Sequence, residues 1–289
     1  MLIPIFIALL ALLLASRSAE ATEHGATSFP GGADDFLVAA MPPPGFYGMA
    51  YANGYRARED AVDLSVSAIA LRLDWVKPVT LFGADRWGTL LAVPLLDIDL
   101  VVRPAPALAD RRRGAGDLTL GNALHWTFES YHAMLAVDVV APTGAYDAGR
   151  LANLGRNQWV LRLNHMGTWF PAERWDVSYR IHTDINFRNP ATGYRSGRTA
   201  YLGLAAGWKP APATTIGLSS YFLRQLSDDT IDGVRVGPDG NRLAVRGVGP
   251  AVKHFFANGA FVTASFYKES GARNTTRGES LWIYAGTRF

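Results

Sequence analysis

Trp175 to Phe187, "WDVSYRIHTDINF", alternates without a break between two kinds of side chain. Trp175, Val177, Tyr179, Ile181, Thr183, Ile185 and Phe187 form one face, and Asp176, Ser178, Arg180, His182, Asp184 and Asn186 the other. A period of two is the signature of a β-strand with one apolar and one polar face. The run covers 13 residues, against roughly 5–6 for an ordinary strand. A soluble sandwich rarely sustains alternation so long. A tilted strand that crosses an outer membrane needs about ten residues of it, bounded by turns.

The pattern recurs along the chain. Ala133, Leu135, Val137, Val139 and Ala141 alternate with His132, Met134, Ala136, Asp138 and Val140. Trp159, Leu161 and Leu163 alternate with Arg162 and Asn164, and Leu202, Leu204, Ala206 and Trp208 with Tyr201, Gly203, Ala205 and Gly207. Leu90, Ala92, Leu96, Ile98 and Leu100 face away from Asp97 and Asp99. Val62, Leu64 and Val66 start on one phase and Ile69, Leu71, Leu73 and Trp75 continue on the other, which predicts a β-bulge near Ser67 to Ala70. Strands are expected at 45–57, 62–76, 87–101, 116–128, 131–141, 157–170, 173–187, 198–209, 213–225, 246–256, 260–268 and 280–289. That is about twelve, an even number as single-chain bacterial barrels have.

The connections carry separate information. Short links centre on Ser130, Pro171-Ala172, Pro210-Ala211 and Asn258-Gly259, the last a favoured hairpin dipeptide. Long polar links fall between them, at 102–115, 142–156, 188–197, 226–245 and 269–279. Short turns at one end and long loops at the other is the layout of an outer-membrane barrel. The first turn, Lys77 to Arg86, is longer than that scheme prefers. Closure also removes the exposed edges of so large a sheet. The expected fold is therefore all-β: a transmembrane antiparallel up-and-down barrel over residues 45–289.

Composition narrows the alternatives. Cysteine is absent, which excludes disulfides and thiolate-ligated metals. A net charge of +3 over 289 residues does not suggest a nucleic-acid partner. Residues 1–21 read as a signal peptide: the apolar run Leu2 to Ala15 is followed by Ala19-Glu20-Ala21, although no Lys or Arg precedes the run. No other stretch approaches 18 consecutive apolar residues, so a membrane would be crossed by strands.

With the apolar phase facing lipid, the polar phase lines a lumen. It carries Arg72, Asp74, Asp97, Asp99, Asp138, Arg162, Arg180, His182, Asp184 and Lys253. A charge at mid-strand on the lipid side would cost about 2–4 kcal/mol for an arginine. Twelve strands lie between barrels filled by their own side chains and barrels with open channels, so a narrow, partly occluded pore is expected. Tyr201, Tyr221, Tyr267, Trp282 and Tyr284 fall on the inward phase and offer rings for stacking an aromatic solute, or simply pack the wall. Residues 22–44 form a leader ending in Pro42-Pro43-Pro44, which cannot join a sheet interior. It is either a periplasmic tail or a lumen plug, the stretch "FPGGADDFLVAA" being apolar enough to favour burial.

The loop "APTGAYDAGRLANLGRNQW", Ala141 to Trp159, lacks the Lys-Ser/Thr of a phosphate loop. Asp147, Asn153 and Asn157 offer oxygens to a cation, but a loop of turn formers has the same composition, and no metal or cofactor is expected. This loop, with "GATSFPGGADDFLVAAMPPPGFYG" and "ALRLDWV" at Ala70 to Val76, resembles the meta-pathway of phenol degradation family of outer-membrane proteins. The resemblance implies a barrel in the outer membrane of a Gram-negative bacterium that passes small aromatic or hydrophobic compounds. It also implies that the terminal Phe289 is a signal read by the β-barrel assembly machinery.

Two other functions fit a barrel of this size. One is a structural or adhesive barrel acting through its loops, such as Ser227 to Arg242. The other is a lipid-modifying enzyme, which needs a serine and a histidine near the lipid-facing rim. The six histidines are His24, His125, His132, His165, His182 and His254, and none lies in a Gly-x-Ser-x-Gly setting. The expectation is a non-enzymatic channel whose partners are outer-membrane lipid, the assembly machinery and a small solute.

Overall fold

The computed structural model describes residues 23, 27–59, 61–103 and 108–289. The expected signal peptide, residues 1–21, and His24 lie outside the described residues. Twelve antiparallel strands close into a barrel: β1 (Gly45–Arg58), β2 (Val62–Pro78), β3 (Arg86–Val102), a composite of β4 (Ala109–Ala115) and β5 (Leu118–Thr127), β6 (Tyr131–Ala141), β7 (Val160–Ala172), β8 (Trp175–Asn186), β10 (Thr199–Ala211), β11 (Thr214–Gln225), β14 (Ala244–Phe255), β15 (Phe261–Arg273) and β16 (Gly278–Arg288). Each barrel strand pairs with its neighbours in that order, and β16 closes on β1, from Tyr47 opposite Arg288 to Ala57 opposite Gly278. Among the described residues the ring of pairings is closed, as a spanning sheet requires, and only β4, paired with β3 alone, has a free edge. Three two-residue strands, β9 (Tyr194–Arg195), β12 (Thr230–Ile231) and β13 (Val234–Arg235), form a small sheet in the long loops. Asp232 and Gly233 turn its hairpin at positive φ.

The alternation places side chains as the sequence implies on most strands. Outward apolar residues are left bare: Leu71 is 55% and Leu218 62% exposed, while inward Tyr201 is 2% exposed. Contiguous apolar surface on every side is the lipid face of a barrel. Phe46, Trp75, Trp87, Trp169, Trp175 and Trp208 gather at the end with the short turns and both barrel termini, forming one aromatic girdle. Phe46 and Trp75 stack at 5.5 Å, and the Lys77 ammonium lies 4.0 Å from the Trp75 ring and 4.8 Å from that of Trp87.

The region β2 to β5 corrects three expectations. First, β2 pairs with β3 in unbroken register from Val62 to Pro78, so there is no bulge at Ser67 to Ala70. The extra residue sits in the fourth strand instead: Ala92 is opposite Thr119 but Leu95 opposite Ala115, which bulges the chain at Gly116-Asp117. Second, the link expected at 102–115 contains β4, which carries the fourth strand up beside the upper half of β3.

Third, Asp97 and Asp99 are on the outer wall, and Leu90, Ala92, Leu96, Ile98 and Leu100 on the inner one. The register fixes this: Asp97 lies opposite Ser67, on the same phase as Ile69, Leu71 and Leu73, which face lipid. Asp97 accepts hydrogen bonds from Arg111 at 2.9 and 3.0 Å and from Arg113 at 2.5 and 3.1 Å, both on β4. The physical reason is strand length. β2 and β3 have 17 residues each, longer than the other strands, so their loop-end halves stand beyond the apolar band. There water wets the outside and the apolar residues Val62, Leu64 and Val66 turn inward.

Residues 27–41 lie inside the barrel, and Pro42 to Pro44 are exposed. Phe36 and Ala39 are fully buried, and Leu37 N and Ala39 N donate to the hydroxyls of Ser178 and Thr168, at 2.9 and 3.1 Å, on the inner wall. At the loop end, Glu23 accepts hydrogen bonds from Tyr146, Asn189 and Thr192 at 2.6–2.7 Å. The leader therefore threads from the long loops to the turn end, where β1 begins.

Candidate functional site

The lumen is built by the inward phase of all twelve strands, and its two sides differ. On β6 to β8 the inward residues form a network of paired charges. Arg162 donates to both oxygens of Asp184, at 2.7 and 2.9 Å. Asn164 donates to Asp138 at 3.0 Å and accepts from Arg180 at 2.7 and 3.1 Å, with Asp138 itself 3.9 Å from Arg180. His182 Nε2 is 3.8 Å from Asp184. Across the lumen on β2, Arg72 and Asp74 form their own pair at 2.7 Å, two residues apart on one face. The structure thus places Arg72, Asp74, Asp138, Arg162, Arg180, His182, Asp184 and Lys253 inside, and Asp97 and Asp99 outside.

Next to the charges runs an aromatic row. His182 stacks on Tyr201 with ring centroids 4.7 Å apart, Tyr201 lies 6.1 Å from Tyr221, and Tyr221 5.4 Å from Tyr267. Tyr284 stacks on Tyr51 at 4.9 Å. The strands β8, β10, β11 and β15 supply one ring each: Tyr201 is opposite His182, and Tyr221 lies over Gly247 of β14, where a Cβ would sit 2.4 Å from its ring.

The leader lies on this row. Trp282 Nε1 donates to Gly31 O at 3.1 Å, and Tyr267 donates to Asp34 O at 3.2 Å. Gly31 and Gly32 cross the ledge so closely that a Cβ on the first would sit 2.4 Å from the Tyr221 ring and on the second 2.6 Å from that of Tyr267. Only glycine fits there, which explains the pair in "FPGG". Lys253 donates to Phe36 O at 2.7 Å and to Asp35 at 3.2 Å. At the turn end Met41 joins Ala39, Val76, Ala123, Ala136 and Met166 in a buried cluster. By contrast, inward residues farther up β2 and β3, among them Ala68, Ala70, Leu90 and Leu96, remain half-exposed. The leader covers the charged and aromatic side and leaves an apolar flank accessible.

Several contributors are missed by alternation alone. Phe29, Asp34, Asp35 and Phe36 belong to the leader, which has no period; their signal is the apolar content of "FPGGADDFLVAA". Tyr51 is on β1, and Glu269, which accepts from Tyr221 at 2.5 Å and Tyr55 at 2.8 Å, is near the end of β15. The distinctive loop Ala141 to Trp159 is a folded brace. Asp117 in the bulge accepts from the amides of Gly144 and Arg156 at 2.9 and 2.8 Å. Asn153 accepts from Arg112 at 2.9 Å, and Asn157 donates to Asn189 at 2.7 Å, so these side chains do not converge on one point. Burial and the Glu23 carboxylate push the Tyr146 hydroxyl up to about 12.

The histidines hold no serine among the described residues. His125 bonds to Asp85 at 2.9 Å and to His132 at 3.3 Å, His165 faces outward and meets Tyr179 at 3.3 Å, and His254 bonds to Thr214 at 2.9 Å.

A crystal structure of an outer membrane channel from Pseudomonas putida F1 is similar to this chain, with a TM-score of 0.75 at 19% identity over 91% of this chain and 100% of that one. The β domain of the Bordetella autotransporter BrkA gives 0.55 at 14% identity, covering 85% of this chain and 99% of its own. The transport unit of the autotransporter AIDA-I from Escherichia coli gives 0.53 at 8% identity, covering 96% and 97%. At such identities these likenesses bear on the fold, a closed barrel of outer-membrane type. No curated protein matches the chain significantly in sequence. The family model for the MetA-pathway of phenol degradation, however, matches residues 44–284, from the last proline of the leader into the closing strand, and the chain belongs to that family.

Proposed function

We propose that this chain is a channel in the outer membrane of a Gram-negative bacterium that passes small aromatic or hydrophobic molecules. The observation that carries the reading is the inward aromatic row from His182 to Tyr267, set beside paired charges and an accessible apolar flank on β2 and β3. Once the leader is displaced from the row, such a lumen gives a flat apolar solute rings to stack on, with charges beside them for its polar edge. Membership of the phenol-degradation family and likeness to an outer membrane channel support the same reading. A channel of this kind uses no catalytic residue or cofactor, and no nucleic-acid partner is proposed. Liposomes carrying the purified protein are expected to take up phenolic acids faster than empty liposomes. Equal rates would reject the reading.

A second reading has one observation in its favour. Residues 27–41 of the leader occupy the lumen, as they would in a barrel that displays loops and transports nothing. The absence of any conductance from the chain, with and without its leader, would favour it.

A further inference from the structure

The ring of Phe29 is held in a way that a plug does not require. The guanidinium carbons of Arg162 and Arg180 lie 4.8 and 4.7 Å from its centroid. His182 and Tyr201 meet it edge-on, at 4.7 and 5.1 Å. Five residues later Asp34 brings a carboxylate to Arg180 Nη1 at 2.8 Å. The leader therefore presents an aromatic ring and a carboxylate to one arginine. We propose that Phe29 and Asp34 are an internal ligand occupying a lumenal site for aromatic carboxylates, and that such a compound binds by displacing them. This rests on the channel reading above and names its solute class.

The two arginines are compensated differently, and this assigns the charge of the ligand. Arg162 is neutralised by the wall, through both oxygens of Asp184. Arg180 has only the neutral Asn164 at close range on the wall, with Asp138 at 3.9 Å. Its close carboxylate comes from the leader. When the leader withdraws, the wall keeps an under-compensated guanidinium beside His182 and Tyr201. An anion with a ring satisfies both, whereas an aromatic cation would face two arginines and a neutral phenol would leave Arg180 without its anion. The internal ligand is also an imperfect one. Asp34 Oδ2 is buried without a hydrogen-bond partner, while a free carboxylate can offer both oxygens to the arginine fork.

The chain has no cysteine, so one introduced beside the ring, Pro30→Cys, gives a single nitroxide site in the full-length protein. Benzoate is expected to mobilise the label. Acetate, which has no ring, and phenol, which has no carboxylate, are expected to need at least tenfold higher concentration. In equilibrium dialysis, Phe29→Ala is expected to raise benzoate affinity about tenfold, because the competing state is removed. Arg180→Gln is expected to abolish the preference for benzoate over phenol, and Arg113→Gln, on the outer wall, to keep it. A label unmoved by benzoate, or equal benzoate affinity with and without the Phe29 ring, overturns the proposal. Should benzoate cross liposomes while the label stays still, the channel reading stands and the internal ligand falls. A label that responds without any flux supports the site and rejects the channel.

Discussion

Asp35 and Asp97 are both aspartates paired with a basic side chain, and the wall between them decides what each pair does. Asp35 is buried against Lys253 at 3.2 Å, inside the barrel. Breaking a pair sealed from water costs roughly 3–5 kcal/mol, most of it from the charge left behind. Here the loss has an outlet, because Lys253 regains water if the leader lets go. Asp35→Asn is therefore expected to release the leader rather than unfold the barrel. Limited proteolysis should cut residues 27–44 faster by at least tenfold, with the temperature of heat modification nearly unchanged. Asp97 sits on the outer wall between Arg111 and Arg113, where water screens all three. Asp97→Asn should alter neither the proteolysis nor the conductance. The sequence does not distinguish these two aspartates by type or spacing. Alternation gives the phase of Asp97 only relative to its neighbours, and the choice of lumen rests on assuming that apolar means lipid. That assumption fails where β2 and β3 rise past the apolar band and the same alternation changes meaning.

At the scale of the element, the closing strand carries the clearest agreement between alternation and structure. Leu281 and Ile283 face lipid, and Trp282 and Tyr284 are buried on the lumen side, because β16 pairs with β1 in continuous register. Phe289 ends the seam. Its amide donates to Phe46 O at 3.2 Å, and its ring lies over Gly48, where a Cβ would stand 2.9 Å from the ring edge. We expect deletion of Phe289 to lower the amount of assembled, heat-modifiable protein in the outer membrane several-fold while export stays unchanged. Cell fractionation with immunoblotting checks both quantities; equal assembly without Phe289 would remove its proposed role as a signal. Strands are legible where the period persists, as over the 13 residues from Trp175 to Phe187. β4 is not: Arg111, Arg112 and Arg113 have no apolar alternation, and only pairing with β3 makes them a strand. The two-residue strands β9, β12 and β13 are likewise too short to show a period.

For the whole molecule, the question is whether the barrel needs its leader. The wall is held by a closed ladder of backbone hydrogen bonds and by lipid on its apolar face, neither of which involves residues 27–41. What the leader contributes is lumenal: the Asp34 contact to Arg180, the Asp35 contact to Lys253, the two glycines on the aromatic ledge, and the Met41 cluster at the turn end. Without it these groups face water, which hydrates Arg180 and Lys253 well; the apolar loss is that of Phe29, Ala33, Phe36, Leu37, Val38, Ala39 and Met41 against an inner wall that stays closed. Deletion of residues 27–41 should therefore leave a folded, heat-modifiable barrel whose unfolding temperature falls by only a few degrees. Its pore should change much more. In the intact chain Met41 packs with Val76, Ala123, Ala136 and Met166 at the turn end, and such an apolar constriction is a barrier to hydrated ions. Single-channel recording in planar bilayers should show small, brief conductances for the intact chain and steps several times larger for the deletion. Equal conductance from the two would mean that ions pass along the half-exposed flank of β2 and β3, and that the leader shapes the binding site without gating the pore.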